Sequence, residues 1–263
     1  MKICVLGSGS KGNCTLVESG RTTLLIDAGF SGVEIKRRLA NIGRHPDEIS
    51  AILVTHEHND HISGVGVVSR RCNIPVYANP ATHRASKKRV GKLFSSVDFG
   101  TGEKFSIDDL DIHPFRVSHD TADPVGYVIS DGMVSMGYCT DTGKVTTLIE
   151  HHLKRCDVLV LESNHDLKML RDGPYPLYLQ QRVRSNQGHL ANDDAGRLLK
   201  KLAGGKLRQV VLAHLSEVNN LPELALQSAR KHLGQYTECI EILPATQNKP
   251  SPVITLSQNH PLG

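Results

Sequence analysis

The 263-residue sequence has no tryptophan and only 4% aromatic residues. That leaves little with which to stack many bases along an extended single strand of nucleic acid. The six cysteines (Cys4, Cys14, Cys72, Cys139, Cys156 and Cys239) include no CxxC pair. This excludes the usual Cys-rich structural zinc site and the vicinal redox dithiol, and fits separate thiols buried in a reducing compartment. Apolar runs stay short, as in VLVL at 158–161, far below the length that spans a bilayer. The opening MKICVLGSGSKGN meets glycine and polar residues before a signal-type apolar segment can form. The expectation is a soluble cytoplasmic protein with no membrane association. No linker, low-complexity tract or internal period breaks the chain, which predicts a single domain over residues 1–263. Acidic residues are absent between His61 and Val97, where Arg70, Arg71, Arg84, Lys87, Lys88, Arg89 and Lys92 all fall. A net charge of +4 does not announce a polyanionic partner by itself, so the distribution says more than the total.

Short β-branched and aliphatic runs bounded by Gly, Asp, Asn or Pro predict strands at KICVLGS, CTLVES, TTLLIDAG, AILVTH, PVYAN and LDIHPFRVSH. Further strands follow at GYVISDG, MVSMGY, DVLVLES, QVVLAH and PVITL. Helical spacing appears at 31–42, 80–92, 143–155, 192–203 and 222–233, and a further helix is expected to begin near His61. Early strands succeed one another as hairpins, whereas later strands alternate with helices. The pattern is that of an α/β protein with sheets inside and helices outside.

One stretch carries chemistry. In THEHNDHISG, three histidines, a glutamate and an aspartate occupy five of the six positions from His56 to His61, where the strand AILVT runs out into a loop. Imidazole and carboxylate without thiolate suit Zn, Mn or Fe. His56 and His58 are two residues apart and share a face of extended backbone, while Asp60 and His61 turn elsewhere, so one loop can serve two neighbouring cations. His119, Asp141 and His214 stand just beyond other apolar runs and are candidate partners. A lone strand-end histidine is more often a polar cap than a ligand, but the recurrence is harder to set aside.

H-x-H-x-D-H after a strand, followed by a later His, an Asp and a late strand-end His, resembles the metallo-β-lactamase superfamily. That resemblance implies a four-layer αβ/βα sandwich with its cleft at one edge between two sheets. It implies that His56, His58 and His119 hold one divalent metal, that Asp60, His61 and His214 hold a second, and that Asp141 bridges them. Two such cations can activate water and clamp a phosphate in line. Dedicated β-lactamases of this fold often depart from this ligand pattern, and glyoxalase II enzymes add a C-terminal helical region for which the chain after His214 is too short. Only 21 residues separate His119 from Asp141, so the projecting arm of ribonuclease Z is missing, and no β-CASP domain follows Asp141. Glu162 in DVLVLESNHD and His189 in NQGHLANDDAG match the Glu–His pair of ribonuclease Z, which implies that Glu162 orients His189 to protonate a leaving oxygen. A histidine that merely precedes a helix capped by Asn192 is the competing reading.

LGSGSKGNCTLVESG, LLIDAG, THEHNDHISG, VSHDTADPVGYVI, CTDTG, LESNHD, GPYP and GHLANDDA together resemble the YycJ/WalJ family of compact bacterial metallo-β-lactamase-fold proteins. Ala191 departs from the serine expected in that family's GHLSN. The resemblance implies a metal-dependent DNase acting exonucleolytically from 5′ ends and associated with DNA repair, and no obligate protein partner is expected. Candidate DNA contacts are Arg84, Lys87 and Lys88 on the basic helix, and Arg182 and Arg184 ahead of His189. Tyr175 and Tyr178 are candidates for stacking on a terminal base. SGSKGN at 8–13 reads as a tight hairpin in preference to a phosphate loop, because neither G-x-G-x-x-G nor a Walker lysine is present. Two other functions fit the same residues: hydrolysis of a small or cyclic phosphodiester, and a metal-binding regulatory protein without turnover.

Overall fold

The computed structural model describes residues 1–256; the last seven positions of the expected domain lie outside the described residues. The N-terminal half runs β1 (Lys2–Gly7), β2 (Cys14–Glu18), β3 (Thr23–Ile26), α1 (Gly32–Ala40), β4 (Ala51–Leu53), α2 (Asn59–Ile62) and α3 (Val65–Cys72). It continues through β5 (Pro75–Ala78), α4 (Pro80–Val90) and β6 (Ser95–Asp98). Next come β7 (Phe105–Ile107), β8 (Leu110–Arg116), β9 (Val125–Ser130), β10 (Ser135–Cys139), α5 (Thr147–Leu153) and β11 (Val158–Glu162). The chain closes with α6 (Leu167–Asp172), α7 (Leu177–Val183), α8 (Asn192–Leu202), β12 (Gln209–Ala213), α9 (Pro222–Leu233), β13 (Glu241–Pro244) and β14 (Ile254–Thr255).

Two seven-stranded sheets form, with orders β14-β1-β2-β3-β4-β5-β6 and β13-β12-β11-β10-β9-β8-β7. Alternation along the strands sends Ile3, Val5, Leu24 and Ile26 inward against Ile112, Tyr127, Ile129 and Val160, and these make the core between the sheets. The opposite face of the first sheet buries Leu6, Leu25 and Ile52 under Ile35, Leu39, Val65 and Val68 from α1 and α3. The second sheet buries Leu159, Leu161 and Leu212 under α5, α8 and α9 through Ile149, Leu198, Leu202 and Leu233. Apolar residues on both faces of a sheet require cover on both sides, and the outcome is the four-layer αβ/βα sandwich.

Parallel pairing makes the carboxyl ends of strands coincide. β3, β4 and β5 run parallel, as do β10, β11 and β12, and β8 shares the direction of β10 through antiparallel β9. His56, His119, Asp141 and His214 follow β4, β8, β10 and β12, Glu162 ends β11, and all five therefore meet along one edge.

Local differences from the sequence reading have physical causes. The helix expected near His61 starts at Asn59 and breaks at Gly64, where a Cβ would sit 2.1 Å from the Phe30 carbonyl oxygen. The helix expected from 143 begins only at Thr147, because Thr142 is held back by its N–H donating to Glu162 Oε2 at 2.9 Å. The short helices α6 and α7 and the strands β6, β7 and β13 carry too few periodic positions to be read from sequence. Asn192 is not the cap of α8: Ala191 occupies that position with no side-chain acceptor, and Asn192 is the first helical residue, its amide turned inward. Restoring a hydroxyl acceptor there, Ala191→Ser, is expected to raise stability by about 1 kcal/mol. A thermal melt would read this as a rise of roughly 2–4 °C; an unchanged or lower Tm would show that the buried cap cannot take the extra atom.

Candidate metal centre

Seven side chains converge at the sheet edge in overlapping groups. His56, His58 and His119 place nitrogen atoms within 4.8 Å of one another, and so do the ligand atoms of Asp60, His61 and His214. Asp141 joins the groups, with Oδ2 at 3.4 Å from His61 Nε2 and Oδ1 at 3.2 Å from His214 Nδ1 and 3.9 Å from His119 Nε2. His119 Nε2 lies 3.1 Å from His58 Nδ1, and Asp60 Oδ2 lies 3.6 and 3.5 Å from the Nε2 atoms of His61 and His214. Glu57, although inside the same motif, faces away and accepts the Ala122 N–H at 2.7 Å.

The imidazoles are held from behind. His61 Nδ1 donates to Asp27 Oδ2 at 2.7 Å, His56 Nδ1 meets Thr55 Oγ1 at 2.9 Å, and His119 Nδ1 donates to the Gly188 carbonyl at 3.1 Å. Each contact fixes a ring and leaves its Nε2 facing the centre. Asp27 also accepts from Thr55 N and Oγ1, both at 2.8 Å. Asn13 adds Nδ2 at 3.3 Å from Asp60 Oδ2 and 3.1 Å from His61 Nε2, while Ser8 Oγ accepts from His214 N at 2.8 Å. SGSKGN thus makes the expected β1–β2 hairpin turn and also supports the centre. Gly29 permits the close approach: a Cβ there would fall 1.7 Å from the Asp60 carbonyl oxygen. Asp27, Asp141 and His214 all adopt positive φ, of 59°, 56° and 54°. Such backbone is costly for non-glycine residues and persists where surrounding bonds dictate it.

Charge and burial oppose one another here. Burial drives His56 well below the ordinary imidazole range, helped by the other histidines. Burial acts the same way on His61, but Asp141, Asp27 and Asp60 around it push it up to about 9. His214 is also raised despite burial, through Asp141, Asp60 and Glu162. Burial would raise Asp141 as well, yet the charges of His214 and His61 hold its carboxyl below the usual range. His56 Nε2, Asp141 Oδ2 and His214 Nε2 are buried without a hydrogen-bond partner among the described residues. Unpartnered buried polar atoms are costly, and these three belong to donor groups of the kind that divalent cations satisfy. The donor set fits metal.

Beside this cluster, His189 Nδ1 donates to Glu162 Oε1 at 2.8 Å, and His214 Nδ1 lies 3.0 Å from the same oxygen. Glu162 Oε2 accepts from Thr142 N and Leu190 N. Burial pushes the Glu162 carboxyl up, but the charges and hydrogen bonds of His189 and His214 outweigh it and hold it well below the usual range. His189 lies 3.7 Å from Asp141 Oδ1 and lines the open cleft, a space of about 410 Å³.

The remaining expected contacts divide. Arg182 lines the cleft, its guanidinium held by Asp120 Oδ2 at 2.8 Å, and Asp120 Oδ1 lies 3.5 Å from His119 Nε2. Tyr175 lines it too, while Tyr178 and Arg184 are exposed outside its lining. Arg84, Lys87 and Lys88 do not reach the cleft. α4 starts at the site edge after β5 and carries them away from it, so nearness in sequence did not become nearness in space. Asn164 lines the cleft and donates Nδ2 to the His214 carbonyl at 2.8 Å. Asp27, Asn13, Ser8 and Asp120 were not singled out from sequence. LLIDAG and SGSKGN contained the first three, but nothing local reveals contacts made across as many as 206 residues.

A family model described as a beta-lactamase superfamily domain matches residues 22–215. The chain is 40% identical over 238 residues to exodeoxyribonuclease WalJ of Streptococcus pneumoniae, covering 89% of this chain and 88% of that one. This chain belongs to the WalJ/YycJ family of the metallo-β-lactamase superfamily. Exodeoxyribonuclease YycJ of Bacillus anthracis is 37% identical over 233 residues, 88% of each chain. Among solved structures, the metallo-β-lactamase fold protein YhfI from Bacillus subtilis superposes with a TM-score of 0.73 over 95% of this chain and 98% of that one, at 19% identity. The superfamily fold implies divalent metal binding, and no helix among the described residues is long and apolar enough to cross a membrane.

Asp27→Asn tests the support behind the centre. Asparagine tolerates the left-handed backbone but has one acceptor oxygen in place of two, so its NH2 must face either Thr55 N or His61 Nδ1, each of which now donates to Asp27. Metal affinity is expected to fall 10–100-fold. Competition against a chromogenic chelator measures it, and an unchanged affinity would remove Asp27 from the site.

Proposed function

We propose that this WalJ/YycJ-family protein is a cytoplasmic exodeoxyribonuclease that uses two divalent metals, with Zn, Mn or Fe compatible with the donors. The observation that carries the reading is the seven-residue donor cluster beside the Glu162–His189 pair, in a chain 40% identical to an exodeoxyribonuclease. Attack from 5′ ends and service in DNA repair come from the family resemblance. His56, His58 and His119 would hold one metal, Asp60, His61 and His214 the other, and Asp141 would bridge them. When bound, such a pair supplies Lewis-acid polarisation of the phosphoryl group and activation of water.

The chain's own residues do the rest. Glu162 keeps His189 Nδ1 protonated and its ring oriented, so that Nε2 can deliver a proton to the departing oxygen. Arg182, steadied by Asp120, offers a guanidinium to a phosphate on the cleft wall. Asp60 and Asp141 oppose the build-up of positive charge.

Metal-loaded protein incubated with 5′- or 3′-labelled duplex DNA tests the reading, with the two labels reporting direction. Stepwise loss from the 5′ end is the expected result. Intact DNA alongside cleavage of bis-p-nitrophenyl phosphate would move the assignment to a small phosphodiester, which a 410 Å³ cleft could also admit. Bound metal without cleavage of either substrate would leave a binding protein.

A further inference from the structure

The basic stretch that misses the cleft builds a groove of its own. Arg84 and Lys87 lie three apart on α4, on one stripe with His83, and face the segment that enters β6 across a space of about 440 Å³. Phe94 forms part of its wall and is 55% exposed, a large apolar ring left in water. Neither Arg84 nor Lys87 pairs with a carboxylate, and Lys88, Arg89 and Lys92 beside them are exposed and unpaired too, among the described residues. Asp98 also lines the groove, but it lies 3.7 Å from His83 Nε2, and Ser96 Oγ meets the same ring. Arg70 nearby is engaged, donating to the Val90 and Lys92 carbonyls, and ties off the end of α4.

We propose that this α4–β6 groove is a second nucleic-acid site, which grips single-stranded DNA away from the cleft, with phosphates on Arg84 and Lys87 and a base stacked on Phe94. Unopposed cations select a polyanion. An exposed aromatic ring selects one whose bases are free to stack, which a paired strand cannot offer. The groove is mechanically tied to the centre. Asn79 caps α4 by accepting from Thr82 N at 2.9 Å and donates Nδ2 to the Asp123 carbonyl at 2.7 Å, in the loop that carries Asp120 beside His58 and His119. Lys87 stands eight residues beyond Asn79, about 12 Å along the helix. The path from Lys87 to the cleft is longer than that, because Asn79 lies outside the cleft lining, so only a strand of several nucleotides occupies both sites, and the groove would retain a substrate while its end is trimmed. The proposal rests on the nuclease reading for its purpose, though not for its binding.

The test uses the full, metal-loaded chain and the variants Arg84→Gln/Lys87→Gln and Phe94→Ala, all at surface positions. Fluorescence polarisation with an uncleavable phosphorothioate 12-mer is expected to show roughly tenfold weaker binding for Phe94→Ala. For the double variant the slope of log K against log salt should shrink by about 1.4, at about 0.7 per lost phosphate contact. Hydrolysis of a cleavable 12-mer should show raised KM with kcat retained, whereas a dinucleotide, too short to bridge, should be turned over alike by all three proteins. Unaltered binding by both variants would overturn the site. So would full sensitivity of the dinucleotide, which would place the damage in the cleft or the fold. Loss in the double variant alone, with heparin competing as well as DNA, would reduce the groove to a plain polyanion patch. If the native chain binds the phosphorothioate strand with the expected pattern yet cleaves neither substrate, the nuclease reading fails and the groove stands.

Discussion

Asp141→Asn is expected to lower DNA hydrolysis by about 10³-fold or more and to reduce the metal bound per chain. The basis is the position of one carboxylate between both donor groups, 3.4 Å from His61 Nε2 and 3.9 Å from His119 Nε2. Removing its charge withdraws the one anion shared by the two groups and forfeits several kcal/mol of charge stabilisation, and every 1.36 kcal/mol is tenfold in rate. Asparagine is the informative replacement because it keeps the shape and tolerates φ 56°, so the backbone need not move. Elemental analysis of the purified variant and initial rates on labelled duplex read the two effects separately. Full metal content together with a native rate would remove Asp141 from the bridging position.

The second large effect is expected at the Glu162–His189 pair. His189→Ala should cost 10²–10⁴-fold on DNA if the imidazole protonates the leaving oxygen. A substrate whose leaving group needs no proton, such as bis-p-nitrophenyl phosphate, should lose far less. Glu162→Gln should resemble His189→Ala, and the double variant should be little worse than either single one, because residues that act as a unit are not additive. Equal losses on both substrates would mean that His189 shapes the cleft and donates no proton. Additive losses would mean that Glu162 acts chiefly through His214, whose Nδ1 lies 3.0 Å from the same carboxylate oxygen.

Much of the architecture is legible along the chain because it depends on short-range rules. Alternating strands between glycine and aspartate turns fix which residues point inward, and amphipathic helices at 31–42, 192–203 and 222–233 appear close to where their apolar faces demand. The donor residues are legible for a related reason. Histidines and acids placed directly after buried strands have few roles in a core, and parallel strands bring such positions to one edge. The Glu162–His189 pair, 27 residues apart, was suggested by likeness and is found as a 2.8 Å hydrogen bond. The basic helix shows the limit of this reasoning. Arg84, Lys87 and Lys88 follow the metal motif by fewer than thirty residues, yet α4 leads them off along the sheet, since a helix after a parallel strand must run back antiparallel to it.

By itself the sequence indicated an α/β protein with sheets inside and helices outside, from its hydrophobic period, and donor-type residues at strand ends, from motif spacing; the four-layer sandwich and the grouping of those donors were what the family resemblance implied. Only the tertiary structure decided which atoms of each imidazole face the centre. That depends on Asp27, Thr55, Gly188 and Asn13, whose hydrogen bonds join segments up to 69 residues apart. It also decided that the basic helix forms a groove separate from the cleft, because helix direction is set by packing against the sheet, and no local pattern encodes that.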